Sequence, residues 1–405
     1  MRGRTLLIFD DGRGCWGPVT DLRAIFEQRT GAITTRRRIE RTLGLSAGAC
    51  WVAPDGVALA TQHLGHCLRI NQRPTDGRWL LVNGRWNGLR LAQRVLDLSL
   101  GSVLLQADGQ IIAAYVDHAQ AAEMLDHGFE HLPEDVETYT VHGRVLLERP
   151  WHILEELEDV LDADLRVSDV PLATETPEGV TIIGDQPVHV ATSAIVEPMA
   201  VINAQQGPVV IDRGACICSL SILEGPCYVG PESIVAPHAA IRSHTVLGPV
   251  CKVGGEVSFS IIQGYSNKAH AGFLGHSLVG SWVNLGADTN VSNMKNTYGR
   301  VRVQLQPDSE LEDTGLTFLG PIIGDYVCTG VGTCLVTGSC IGTGAMISLS
   351  TLAPKHVGRL TFCTDAETQR YEEDRFIGTA QRMMARRHCT LLPAEEERLR
   401  ALAAR

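Results

Sequence analysis

Lysine is scarce: four occur in 405 residues against 31 arginines, and none precedes Lys252. A phosphate-handling site in the first half of the chain must therefore draw its positive charge from arginines such as Arg13, Arg23 and Arg29. Cationic residues are short overall, with 35 Lys and Arg against 46 Asp and Glu and a net charge of −11. That balance argues against a nucleic-acid partner, because a phosphate backbone is bound by clustered cations that displace its counterions. Long apolar runs are missing too. The stretch from Leu6 to Phe9 is too short for a secretion signal, and no later run approaches the roughly 20 residues that span a bilayer. A cytoplasmic protein without membrane contact is expected. Cysteine is present at 12 positions, below the density of a disulfide scaffold, and no CxxC pair occurs. Reduced thiols and no metal centre are expected.

What the chain has instead is a repeat. Every sixth residue from Ile211 is aliphatic: Ile211, Ile217, Leu223, Val229, Val235, Ile241, Leu247 and Val253. With aliphatics at about a quarter of positions, such a run arises by chance on the order of 10⁻⁵ times per register. Four residues after each aliphatic stand Ala215, Ser221, Cys227, Ser233, Ala239, Thr245, Cys251 and Val257, nearly all small. A large aliphatic and a small residue recurring every six describe a parallel β-helix with three short strands per triangular coil.

The pattern extends upstream through Val190, Val196 and Ile202, and returns at Ile323, Leu335, Ile341 and Ile347 with Thr329 as a polar substitute. Nine-residue spacings from Ile202 to Ile211, Val253 to Ile262 and Leu274 to Val283 read as out-turned corners. The evenly spaced Cys328, Cys334 and Cys340 fall on three different faces and cannot converge on one ion. Between Thr289 and Pro321 the period fails, so residues 289–321 loop out of the stack with an alternating strand at Arg300–Leu305. Long excursions from a rigid scaffold often carry binding residues.

Residues 1–188 alternate strand-like runs (TLLIF, GACWVAP, RWLLVNG, GQIIAAYV) with helical ones (TTRRRIERTL, HAQAAEMLDH, WHILEELEDVLDAD), which predicts an α/β domain. Asp108-Gly109 marks a tight turn. The β-helix is expected over 189–355. Residues 356–405 form a helical extension whose Met383, Met384, Leu399 and Leu402 make apolar stripes for packing.

The segments NGRW, GPVVID, VGGEVSFSIIQGYSNKAHAGFLGHSLVGSWVNLGADTNVSNMKN and MARRH resemble bacterial sugar nucleotidyltransferases. Those proteins are relatives of the bifunctional N-acetylglucosamine-1-phosphate uridyltransferase/glucosamine-1-phosphate acetyltransferase. The resemblance implies a nucleotidyltransferase-like front domain followed by the left-handed β-helix of the hexapeptide-repeat acyltransferases. It further implies a nucleoside triphosphate and a sugar phosphate as substrates, acetyl-CoA or another acyl-CoA as cosubstrate, Mg²⁺ in the front domain, and a homotrimer.

By position within that resemblance, His270 matches the acetyl-transfer base, four residues before Leu274, while Asn284, Asn293 and Lys268 are substrate contacts and Ala287 an acyl-CoA contact. A neutral imidazole suits the proton transfer. The bland alternative leaves His270 at a solvated corner, as is expected of His238, His244 and His276. Phe273 stands where the family has a substrate tyrosine, and Ser258 and Ala240 where it has basic contacts, so the acceptor can differ from glucosamine 1-phosphate. In the front domain FDDGRGCWGPVT is similar to the nucleotidyltransferase signature, with Gly12, Arg13 and Gly14 as the phosphate loop and the acids Asp10 and Asp11 before it. A non-catalytic binding or assembly protein, or one active domain on a trimerisation post, remain as alternatives.

Overall fold

The computed structural model describes residues 3–171 and 177–403. They group into two compact units, one of Leu22–Gln28, Ile33–Arg149 and the residues up to Cys15, the other of Trp16–Asp21, Arg29–Ala32 and the chain from Pro150 on.

The first unit is a mixed sheet. Its strands are β1 (Arg4–Phe9), β2 (Ala47–Trp51), β3 (Arg69–Ile70), β4 (Arg78–Asn83), β5 (Ser102–Gln106), β6 (Ile111–Asp117) and β7 (Glu137–Val141), in the spatial order β3-β2-β1-β4-β6-β5-β7. β1 pairs in parallel with both β2 and β4, while β6 runs antiparallel to β4 and β5. The continuous apolar run of β1 follows from burial on both faces: Leu6 and Ile8 join one apolar cluster, Leu7 and Phe9 the other. Helices α1 (Thr35–Leu43), α2 (Val57–Leu64), α3 (Ala92–Leu96) and α4 (His118–Asp126) supply the covering layers. α4 opens with a capping box between Asp117 and Gln120. The expected Asp108-Gly109 turn joins β5 to β6, with Gly109 at φ +85°.

In the second unit the stretch expected to be one helix divides into α5 (Pro150–Glu155) and α6 (Leu157–Arg166). The expected β-helix follows, its strands running from Thr181–Ile183 to Thr361–Thr364. Ile211, Val229, Leu247, Ile262 and Val279 stack rung upon rung on one face. Ile217, Val235 and Val253 stack on the second, and Ile202, Leu223, Ile241, Val257 and Leu274 on the third. The small residues Ala215, Ser221, Cys227, Ser233, Ala239, Thr245 and Cys251 are all buried, so the period-six reading holds over this run.

Two of the expected out-turned corners are instead tightened ones. Val257 occupies the third face between Val253 and Ile262, and Val279, not Val283, follows Leu274 on the first face. The nine-residue spacings concealed a coil with shortened corners. Counting six from Ile262 then lands on Lys268, which pairs with Val253 and takes an inward position.

The excursion begins later than expected, because Asn290–Val291 still pairs with Cys334–Leu335. It holds a short antiparallel ladder of Arg302–Val303 with Glu312–Asp313 and is closed by a bridge from Met294 to Phe318. Helices α7 (Glu373–Ala385) and α8 (Pro393–Ala403) pack through Phe376, Ile377, Met384, Leu399 and Leu402. The Tyr326 hydroxyl donates to Glu395 at 2.7 Å.

Candidate functional site

At the C-terminal edge of the first unit's sheet, β1 runs into Asp10-Asp11-Gly12-Arg13-Gly14. The chain order turns outward here, to β2 on one side and β4 on the other, which is where open α/β sheets leave a crevice for ligands. Gly12 and Gly14 adopt φ of +68° and +88°, a backbone that side chains rarely enter, and a Cβ added at Gly12 would meet nothing within 4 Å. Gly12, Arg13 and Gly14 are exposed.

Two of the loop's amides are already engaged. The Gly12 and Arg13 N–H groups donate to Asp10 Oδ1 and Asp11 Oδ1 at 3.0 and 3.1 Å. Asp11 in turn accepts from Arg85 Nε and Nη2 at 2.9 and 2.6 Å and from Asn83 Nδ2 at 2.9 Å. Both members of the Arg85–Asp11 pair are buried. Burial alone would raise the Asp11 pKa, but hydrogen bonds and charge from Arg85 outweigh it and hold the carboxyl below its ordinary range. Asp10, lacking such a partner, is pushed upward by burial and by Asp11.

The segment NGRW is therefore the clamp that sets this acid. Sequence reasoning missed both Arg85 and the polar residues beyond it. Arg85 also reaches Gln110, whose amide donates to Asp108 in the β5–β6 turn, so Asp108 joins the same edge. Burial works against ionisation of Asp108, but hydrogen bonds from Gln106 and Gln110 outweigh it and lower its pKa. The signal available in the sequence was a lone arginine two residues beyond an apolar strand. Of the other arginines considered, Arg29 belongs to the second unit, where its backbone exchanges two hydrogen bonds with the Gln263 side chain, each 2.9 Å.

The β-helix residues divide between two corners. His270 is exposed at the corner between the second and third faces, with no side-chain hydrogen bond among the described residues. Ala287 occupies the same corner one rung on, where its carbonyl accepts from the Gly332 N–H. Lys268 lies beneath, inside the prism, only 3% exposed. Its Nζ donates to the carbonyls of Gly254 at 2.8 Å and His270 at 3.1 Å. Burial lowers its pKa to about 8. Lys268 thus holds the backbone of the His270 corner. Asn284 is exposed on the outer second face, where its amide oxygen accepts from Asn267 at 3.4 Å.

Asn293 sits at the next corner, with a residue expected to be solvated. Its Nδ2 lies 2.9 Å from His276 Nδ1, and the His276 ring is stacked between Phe259 and Phe318 at 4.7 and 5.1 Å. Burial, with a smaller push from His244, lowers the His276 pKa to about 4. His276 is therefore a neutral, half-buried imidazole and no solvated corner. Period six placed its backbone but could not anticipate the aromatic column formed across rungs by Phe259 and the excursion's Phe318.

Cys328, Cys334 and Cys340 lie on separate faces, as expected. Among the described residues no helix is long and apolar enough to cross a membrane.

Residues 6–169 match a family model described as sugar nucleotidyl transferase. The bifunctional protein GlmU of Acaryochloris marina is 29% identical over 154 residues, 34% of this chain and 32% of its own. A bifunctional sugar-1-phosphate nucleotidylyltransferase/acetyltransferase of Sulfurisphaera tokodaii is 32% identical over 133 residues, 32% of this chain and 33% of its own. The matches thus span about a third of these relatives' length. Among solved structures, a hexapeptide transferase family protein from Anaplasma phagocytophilum is similar at 18% identity with a TM-score of 0.21, covering 56% of this chain and 95% of that one. Residues 6–169 thus resemble the sugar nucleotidyl transferase family, and the chain is similar over part of its length to bifunctional nucleotidyl- and acetyltransferases.

Proposed function

We propose that the chain is a sugar-1-phosphate nucleotidyltransferase whose β-helix carries an acyl-CoA-dependent acyltransferase site. The observation that carries this reading is the exposed Gly12-Arg13-Gly14 loop at the C-terminal end of β1, inside the segment that matches the family model. In nucleotidyl transfer a sugar-phosphate oxygen attacks the nucleotide's α-phosphorus and pyrophosphate leaves. This chain contributes orientation and charge: Arg13 faces solvent beside the loop, and the Arg85–Asp11 clamp keeps that loop in one conformation.

Asp11 does not fit a Mg²⁺ role, since four donors already occupy its oxygens. Asp108 is exposed and held ionised, but its oxygens likewise already accept from Gln106 Nε2 and from the Gln110 N–H and Nε2, so it fits that role no better.

On the β-helix, His270 is the proposed base. It is an exposed imidazole whose backbone is fixed by Lys268, with Ala287 one rung away and Asn284 on the adjoining face as acyl-CoA and acceptor contacts. Asn293, bonded to His276, is the remaining proposed contact. A homotrimer acting in the cytoplasm completes the proposal.

Mass spectrometry of products from a panel of nucleoside triphosphates, sugar phosphates and acyl-CoA donors tests it. A nucleoside diphosphate sugar and an acylated sugar are expected. Calorimetry on Arg13→Ala should show triphosphate binding weaker by about 1.5–3 kcal/mol, a charge-assisted contact. If the unaltered chain binds no triphosphate with or without Mg²⁺ and consumes no acyl-CoA, it is a non-catalytic member of the fold and the proposal fails.

A further inference from the structure

The register of the β-helix brings three ligand-type side chains together far from the His270 corner. Ile195–Val196 pairs with Cys216–Ile217, so Glu197 lies one rung from Cys218, and its N–H donates to the Ile217 carbonyl at 2.9 Å. Ile217 points inward, so Cys216 and Cys218, two apart on one strand, emerge on the same outer side. The two sulfurs are 4.0 Å apart, and the ligand atoms of Glu197, Cys216 and Cys218 all lie within 4.8 Å of one another. Each residue is half-buried.

We propose that Glu197, Cys216 and Cys218 form a binding site for a thiophilic divalent cation, Zn²⁺ in particular, with a water completing the coordination. Tetrahedral zinc with Zn–S bonds of about 2.3 Å places two sulfurs about 3.8 Å apart, close to the separation seen. Ser219 fixes the carboxylate, since its N–H and hydroxyl donate to Glu197 Oε2 at 2.7 and 3.1 Å, the kind of outer hydrogen bond that orients a metal ligand.

Charge supports the same choice. Two thiolates and a carboxylate around a divalent ion leave one negative charge. Lys252, which lies two rungs above Cys216 and acts electrostatically on Cys218, balances it. Without a cation the Cys218 thiol resists ionisation: burial, then the charge of Cys216, pushes it up to about 11. Binding therefore displaces thiol protons to solvent, changes no oxidation state, and strengthens as pH rises.

The test uses the full chain, stripped with a chelator in a non-chelating reductant, then dialysed against Zn²⁺ and assayed for bound metal. One zinc per chain is expected beyond whatever Cys216→Ser/Cys218→Ser retains. Co²⁺ should give sulfur-to-cobalt charge-transfer absorption in the unaltered chain and none in that double variant. Glu197→Gln, which leaves both thiols, should keep the absorption and weaken affinity. Ser219→Ala should weaken it roughly 10–100-fold. Far-UV circular dichroism checks folding, and Glu197→Gln stands as the test if the cysteine variants misfold. Equal zinc content in all variants overturns the site. So does a Cys216–Cys218 disulfide that forms in air at the same rate with and without zinc, which would make the pair a redox dithiol.

Discussion

Replacing Lys268 with methionine should change the pH dependence of stability by a calculable amount. The ammonium sits where the repeat places an aliphatic, pairing in register with Val253, and burial lowers its pKa from 10.5 to about 8. Unfolded, the lysine takes up its proton near 10.4. Between those values the unfolded chain binds one proton more than the folded chain, so the native state gains stability as pH rises through this window. At about 1.36 kcal/mol per unit, the gain is about 3 kcal/mol. Below pH 8 both states are protonated, and the buried charge costs the fold that amount. Methionine removes the cost but also the hydrogen bonds to Gly254 and His270, worth about 1–3 kcal/mol together.

At pH 7 Lys268→Met should thus match or exceed the unaltered chain. By pH 10.5 it should be the less stable protein, with the difference moving by about 3 kcal/mol across the window. Denaturant titrations at pH 7 to 10.5 measure this. Because only four lysines are present, ¹³C-lysine labelling lets NMR follow the Lys268 signal directly, with Lys268→Arg as the assignment. A difference that stays flat with pH, together with a Lys268 signal titrating near its ordinary value, would refute the reasoning.

Arg85→Met should leave Asp11 buried without its partner and destabilise the first unit by roughly 3–5 kcal/mol, visible as a lowered midpoint in thermal or denaturant unfolding. His270→Ala should lower the kcat of acyl transfer by roughly 10²–10⁴ with acyl-CoA affinity kept. His238→Ala is the appropriate control, since His238 is exposed and at an equivalent corner; His276→Ala would disturb a packed column. His276 has a folded pKa of about 4 against 6.5 unfolded, so its contribution is present above pH 6.5 and lost as pH falls toward 4. His276→Phe should flatten that part of the acid unfolding curve, and an imidazole signal for His276 that titrates near pH 6.5 would contradict the stacked arrangement.

The β-helix was legible because its core follows from local spacing. A residue six positions on takes the inward position of the next face, and three such steps return to the first, so Ile211, Val229 and Leu247 could be stacked on paper. The same arithmetic misread Val253 to Ile262, because two shortened corners add up to nine as readily as one lengthened corner does. Only the ladder from Ile241 through Val257 to Leu274 distinguishes the two. The alternation of apolar runs with helical segments likewise announced the α/β unit. What no spacing contains is contact between residues distant in the chain. Arg85 reaches Asp11 across 74 positions, the Phe318 ring closes over His276, and Glu197 meets Cys216 and Cys218 through rung register. Hydrophobic periodicity is a property of neighbouring residues and survives in one dimension. Ion pairing, ring stacking and metal-type clustering depend on distances of a few ångströms that exist only once the coils and the sheet have closed.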